Sequence, residues 1–207
     1  MRSFWSFSLI GVLTLVFGGL ALMLVGSPPA SADPTGSIAG EVSARPAKNR
    51  ADVVVHVVKA AGSFRPPAQQ PAINQKAMKF APHVLAILRG TTVRFLNNDN
   101  VRHNVFSPDG GHYDLGTWGQ GETRTRVFAQ SGVYRQLCNI HPEMSAFIVV
   151  LDNPYFAVTN GEGRFRIDGV PPGSYTLRAW SERLREATQP VTVTAGGTTN
   201  IQMELAR

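Results

Sequence analysis

From residue 33 to the C-terminus no stretch sustains the 3.6-residue apolar period of an amphipathic helix. Short alternating or continuous apolar runs recur instead, separated by Gly, Pro and Asn. Such runs bury one or both faces only as strands, so the chain is expected to be all-β and built of sandwiches. Strands are predicted over 37–42, 51–59, 73–78, 84–88, 92–97, 102–106, 123–128, 132–137 and 146–151. Further strands are predicted over 164–167, 174–180, 190–194 and 199–205. The best remaining helix candidate, "SERLREATQ" (181–189), is polar and too short to hold a helix alone.

Ahead of these strands, Arg2 precedes an apolar run over 7–25 and then "GSPPASADP", in which Ala30-Ser31-Ala32 has the small-x-small form of a signal peptidase site. Residues 1–32 are therefore read as a signal peptide, which places the mature chain in the periplasm or otherwise outside the cytoplasm. The apolar run is nearly long enough to span a bilayer, so an uncleaved N-terminal anchor is the alternative. No later stretch approaches that length, and the mature chain is expected to have no membrane span.

Arg2 is the one basic residue of the leader. Of 20 Lys and Arg and 14 Asp and Glu, 19 and 14 therefore fall in residues 33–207, a formal charge of +5. The cations are scattered and no basic run is interleaved with aromatics, which argues against nucleic acid and leaves room for an acidic protein partner. The carboxylates form no convincing pair, and G-x-S-x-G, P-loop and H-E-x-x-H motifs are absent from the sequence.

An exported chain normally uses cysteines in disulfide pairs, yet this one has a single cysteine, Cys138. It opens "CNIHPEM", a C-x2-H-x2-M spacing between the strand-like "GVYRQL" and "SAFIVVL". A short loop stiffened by Pro142 can turn Cys138, His141 and Met144 toward one point, and "VRHNVF" upstream offers His103. Two imidazoles, a thiolate and a thioether suit copper in a His2Cys plane with a weak axial Met, whereas zinc would usually recruit a second thiolate, a third imidazole or a carboxylate. Glu143 competes with Met144 for that fourth position. Coordination would keep the thiol deprotonated and out of disulfide chemistry.

With those residues in place, the stretch from about Ile73 to Leu151 resembles a cupredoxin, closer to amicyanin and plastocyanin than to azurin. The resemblance rests on "KAMKFAPHVLAILRGTTVRFLNND", "HNVF" and "GVYRQLCNIHPEMSAFIVV". It implies a Greek-key β-sandwich over residues 70–151 holding one copper ion as Cu(I)/Cu(II). His103, Cys138 and His141 would be its equatorial ligands and Met144 its axial one, with Asn104 tying the two ligand-bearing segments together. Gln136 departs from the pattern, standing where the family usually carries an aromatic core residue. His56, His83 and His112 match no ligand position: His56 and His83 read as strand residues, His83 at the surface, and His112 as part of a Gly-rich loop.

"FAVTNGEGRFRIDGVPPGSYTLRAW" resembles a carboxypeptidase regulatory-like domain, a small transthyretin-like sandwich, through Thr159, Gly163, Phe165, Ile167, Pro172, Gly173, Tyr175 and Leu177. The opening strands of such a domain resemble "GSIAGEV" and "ADVVVHVV", which lie ahead of the copper block. Residues 36–62 and 152–207 are thus expected to form one discontinuous domain with the cupredoxin nested inside it. The rival layout gives residues 51–59 to the copper block and leaves a truncated C-terminal domain.

Together these readings imply a periplasmic blue copper protein that is not an enzyme but a one-electron carrier for redox partner proteins. The alternatives are copper delivery or storage, and a structural β-sandwich module. A copper enzyme would need further histidines, commonly as His-x-His or His-Cys-His, and the sequence has five histidines and neither pattern.

Overall fold

The computed structural model describes residues 1, 34–109 and 112–207; the leader assigned to residues 1–32 lies outside the described residues apart from Met1. Sixteen strands are present among them: β1 (Gly36–Arg45), β2 (Val54–Val57), β3 (Ala72–Lys76), β4 (Lys79–Ala81), β5 (Val84–Leu88), β6 (Thr92–Asn97), β7 (His103–Ser107), β8 (Tyr113–Trp118), β9 (Thr123–Val127), β10 (Gly132–Leu137), β11 (Ser145–Leu151), β12 (Phe156–Val158), β13 (Arg164–Val170), β14 (Gly173–Trp180), β15 (Ala187–Val193) and β16 (Thr198–Ala206). The only helical element among the described residues is a 3-10 turn at Ala47–Arg50. The all-β expectation holds.

Two sheets, ordered β5-β11-β10-β7-β8 and β4-β3-β6-β9, form one sandwich. The chain crosses between them at β4–β5, β5–β6, β6–β7, β8–β9 and β9–β10, a Greek-key path. Their facing side chains make a core that includes Ile73, Val93, Phe95, Val105, Trp118, Phe128 and Ile148, with Cys138 and Met144 in the same cluster.

A second sandwich joins sheets β13-β1-β16 and β12-β2-β14-β15 around Ile38, Val42, Val55, Val57, Ile167, Leu177 and Leu205. Here β1 pairs parallel to β16 along nine residues and antiparallel to β13. Such close pairing needs Gly40, where a Cβ would strike the Ile201 carbonyl. At the β12–β13 turn, Gly163 takes φ +85° against the Val42 carbonyl, a place no side chain could share. The hydroxyl of Thr159 accepts from Val53 N (2.9 Å) and donates to Arg50 O (2.7 Å), fastening this turn to the start of β2.

The two sandwiches meet on the back of β5 and β11. Along β11, Ala146, Ile148 and Val150 face the first core, while Val149 and Leu151 turn the other way and pack with Val84 and Val54. Phe147, Phe156, Val158 and Trp180 complete this second apolar layer. A strand buried on both faces needs no polar alternation, and that is why "AFIVVL" reads as a continuous apolar run. Each fully buried side chain of this kind contributes about 1.5–3 kcal/mol relative to exposure.

Several strand limits differ from the sequence expectation. β2 is confined to four residues because Asp52 turns with φ 59° and Thr159 caps its approach. β15 begins within the segment that was the best helix candidate. β4, β8 and β12 have no counterpart among the predicted strands: all three are short or half-exposed, and β8 carries Gly116 at φ +77°.

Candidate metal centre

β10 and β11 form a hairpin whose last pair is Leu137 with Ser145, so the seven residues from Cys138 to Met144 make its connecting loop. Inside the loop Met144 N donates to His141 O (3.0 Å), which closes a turn over residues 141–144. Leu137 also pairs with Phe106 of β7, which sets the loop beside the strand that begins at His103.

The metal-binding atoms of His103, Cys138 and His141 lie within 4.8 Å of one another, and among the described residues no other group of three His, Cys, Asp or Glu converges in this way. His103 is fully buried, Cys138 is 3% exposed and His141 half-buried. Of the three, His141 is therefore the one that meets solvent. Met144 is buried in the same core cluster as Cys138, whereas Glu143, the other candidate for the fourth position, is exposed.

The histidine rings meet edge to face, with Nδ1 of His103 3.0 Å from Nδ1 of His141. The other nitrogen of His103, Nε2, lies 3.0 Å from Asp99 Oδ2. Two inward nitrogens at that separation are satisfied by one shared proton, which a metal ion would replace. The Asp99 carboxyl is held below the usual carboxylate range, first by the Met78 amide and then by His103. Asp99 belongs to "NNDN", which reads in sequence only as turn chemistry; its one further signal is a position four residues before His103.

Asn104 connects the start of β7 to the β10–β11 loop and to β8. Its backbone N–H points at Cys138 Sγ (3.5 Å), and its side-chain oxygen accepts from Asn139 N (3.3 Å). Its amide donates to Asp114 Oδ1 (2.6 Å) and to Gly116 O (3.0 Å), which anchors the group on β8.

Gln136, two residues before Cys138, is fully buried, and both ends of its amide are occupied. Its oxygen accepts from Tyr113 OH (2.6 Å) and its nitrogen donates to Tyr134 O (3.0 Å). Tyr113, Phe128 and Tyr134 stack edge to face beside it, so the aromatic layer absent at residue 136 is made by β8, the residue after β9 and an earlier position of β10 itself. Burial pushes the Tyr113 hydroxyl up to about 12, and the Arg126 guanidinium covers its ring at 3.8 Å.

The remaining histidines lie outside the cluster. His56 is on β2, its pKa lowered by burial. His112 is exposed, with φ 47°. His83, expected on a surface strand, sits instead between β4 and β5: Nδ1 lies 3.1 Å from Ser145 O and Nε2 2.9 Å from Glu182 Oε1. It links the start of β11 to the second sandwich.

Residues 68–151 match the family of copper binding proteins described as plastocyanin/azurin. Residues 144–206 match the carboxypeptidase regulatory-like domain, so the two matches overlap on β11. Similar solved structures include a purple cupredoxin from Nitrosopumilus maritimus, 28% identical, with 39% of this chain and 99% of that chain covered at a TM-score of 0.37. A Cu-containing nitrite reductase from Thermus scotoductus is 28% identical, with 46% of this chain but only 25% of that one covered at 0.40. A mutant amicyanin in the Cu(I) state is 22% identical, with 39% and 81% covered at 0.38.

Proposed function

We propose that the chain is an exported type 1 copper protein that carries one electron at a time, with His103, Cys138 and His141 as the copper plane and Met144 as a weak axial ligand. The observation that carries this reading is the convergence of two imidazoles and the sole thiol within 4.8 Å in a buried pocket, in a segment matching copper-binding proteins.

The donor set fits copper. Copper held this way supplies a one-electron couple between Cu(I) and Cu(II). The protein's own work is to keep the donors fixed: the β10–β11 hairpin sets Cys138 and Met144, β7 sets His103, and Asn104 clamps the two together. The Asn104 N–H directed at Sγ stabilises negative charge on sulfur. The core around Cys138 and Met144 keeps bulk water away.

Electrons would pass through His141, the ligand nearest solvent. Ile140 (46% exposed), Pro142 and Glu143 flank it on the surface, and Ile140 offers an apolar contact for a redox partner. His56 and His83 stand on separate elements away from this cluster, so the carrier role proposed here uses one centre. No helix among the described residues is long and apolar enough to cross a membrane. Export to the periplasm rests on the leader sequence.

The same proposal treats residues 36–62 and 152–207 as one domain with the copper block, residues 70–151, inserted in it. In support, β2 pairs with β12 and β14 and with no strand from β3 to β11.

The test is the visible absorption spectrum of the Cu(II)-loaded protein beside Cys138→Ser. An intense thiolate-to-copper band in the wild type, absent from the variant, is the expected result. A wild type that remains colourless after copper addition refutes the reading.

A further inference from the structure

An imidazole ligand has two nitrogens and a metal takes one, so something must decide which nitrogen of His103 keeps its proton. Nε2 faces the Asp99 carboxylate at 3.0 Å, and an ionised carboxylate only accepts. The proton must then sit on Nε2, and Nδ1 presents its lone pair to His141. The ring is wholly buried and the carboxylate 13% exposed, so water competes little for this bond.

The carboxylate is itself fixed from several sides. Oδ2 also accepts from Met78 N (2.8 Å), in the β3–β4 turn where Ala77 and Met78 both take left-handed φ values of 52° and 54°. Oδ1 accepts from Asn100 N (3.1 Å), and Asp99 N donates to the side-chain oxygen of Asn97 (2.9 Å). Asn97 is fully buried and donates onward to Val101 O and Trp118 O. The group behind His103 is thus built into the β6–β7 connection and braced by the β3–β4 hairpin.

We propose that Asp99 is a positioning residue of the copper centre: it locks His103 in the Nε2–H tautomer and sets a negative charge behind the ring that favours the oxidised metal. The second half rests on the copper reading above; the first half does not need the metal. Carboxylate partners of metal-bound histidines typically change metal affinity about 10–100-fold. The more highly charged Cu(II) gains more than Cu(I) from a charge behind its ligand. A differential of about tenfold between the two states corresponds to about 59 mV for a one-electron couple.

The test uses the full chain in two stages. Histidine ¹⁵N-labelled, metal-free protein is examined by long-range ¹H–¹⁵N correlation, where His103 is expected to carry its proton on Nε2 in the wild type and to mix tautomers in Asp99→Ala. The copper-loaded wild type and Asp99→Asn are then compared by chelator competition and by potentiometry. Asn at this position retains an oxygen for Met78 N, so the turn can persist while the charge is lost. The expected result is Cu(II) affinity lowered about tenfold or more and a potential shifted upward. A wild-type His103 protonated on Nδ1 overturns the tautomer assignment. Copper bound equally well, at an unchanged potential, by Asp99→Asn overturns the electrostatic role alone. A protein with the Nε2–H ring that takes up no copper overturns the copper reading and this role with it, and leaves the tautomer assignment standing.

Discussion

Replacing Asn104 tests whether the pocket is held together by one side chain. That amide makes three hydrogen bonds, from Asn139 N and to Asp114 Oδ1 and Gly116 O, in a residue only 3% exposed. Asn104→Ala removes all three. At about 0.5–1.5 kcal/mol net for each bond, the loss is about 1.5–4.5 kcal/mol. Asn104→Asp sharpens the argument because it is nearly isosteric. Its oxygen can still accept from Asn139 N, but its second oxygen would meet the Asp114 carboxylate where a donor now sits at 2.6 Å. A hydrogen bond is thereby exchanged for like-charge repulsion, so the Asp variant is expected to be less stable than the Ala variant at neutral pH. Urea unfolding of the metal-free proteins, followed by tryptophan fluorescence, measures both. The reasoning fails if Asn104→Ala costs under about 0.5 kcal/mol, the range of ordinary surface substitutions, or if Asn104→Asp is the milder of the two.

Tyr113 gives a pH signature. It ionises near 10 in the unfolded chain but only near 12 when buried, so between those values the unfolded state binds fewer protons. The contribution is full below pH 10 and lost as pH rises toward 12. Two pH units correspond to about 3 kcal/mol, and Tyr113→Phe should flatten the slope of urea stability over that window; parallel slopes would contradict it. His83→Ala removes contacts to Ser145 O and Glu182 and should lower stability by about 1–2 kcal/mol. A denaturation midpoint equal to that of the wild type would show that the bridge between the sandwiches carries no weight.

The sequence exposes what is local. Cys138, His141 and Met144 occupy one loop, and the flanking apolar runs place that loop between strands. His103 lies far from it in sequence and is legible only because "HNVF" repeats a familiar setting. Asp99 was not legible, because an Asp in a polar turn has many possible partners and the one it takes depends on how β6 and β7 are joined. Gln136 looked like a mismatch for a similar reason. Its partner Tyr113 stands on β8, a half-exposed strand with a glycine in its middle and little periodic signal. The two-faced burial of β11 left a plain trace in its sequence, but the identity of what covers its outer face, including Val54 and Trp180, depends on segments about a hundred and about thirty residues away.

The strands β3 to β11 are tied to the second sandwich at both of their ends, through residues 58–71 and again through residues 152–155, and they share an apolar layer with it. A block on a single link could swivel; one held by two strings and a glued face has no free axle. Cutting one link would therefore still leave the other link and the shared layer joining the two sandwiches.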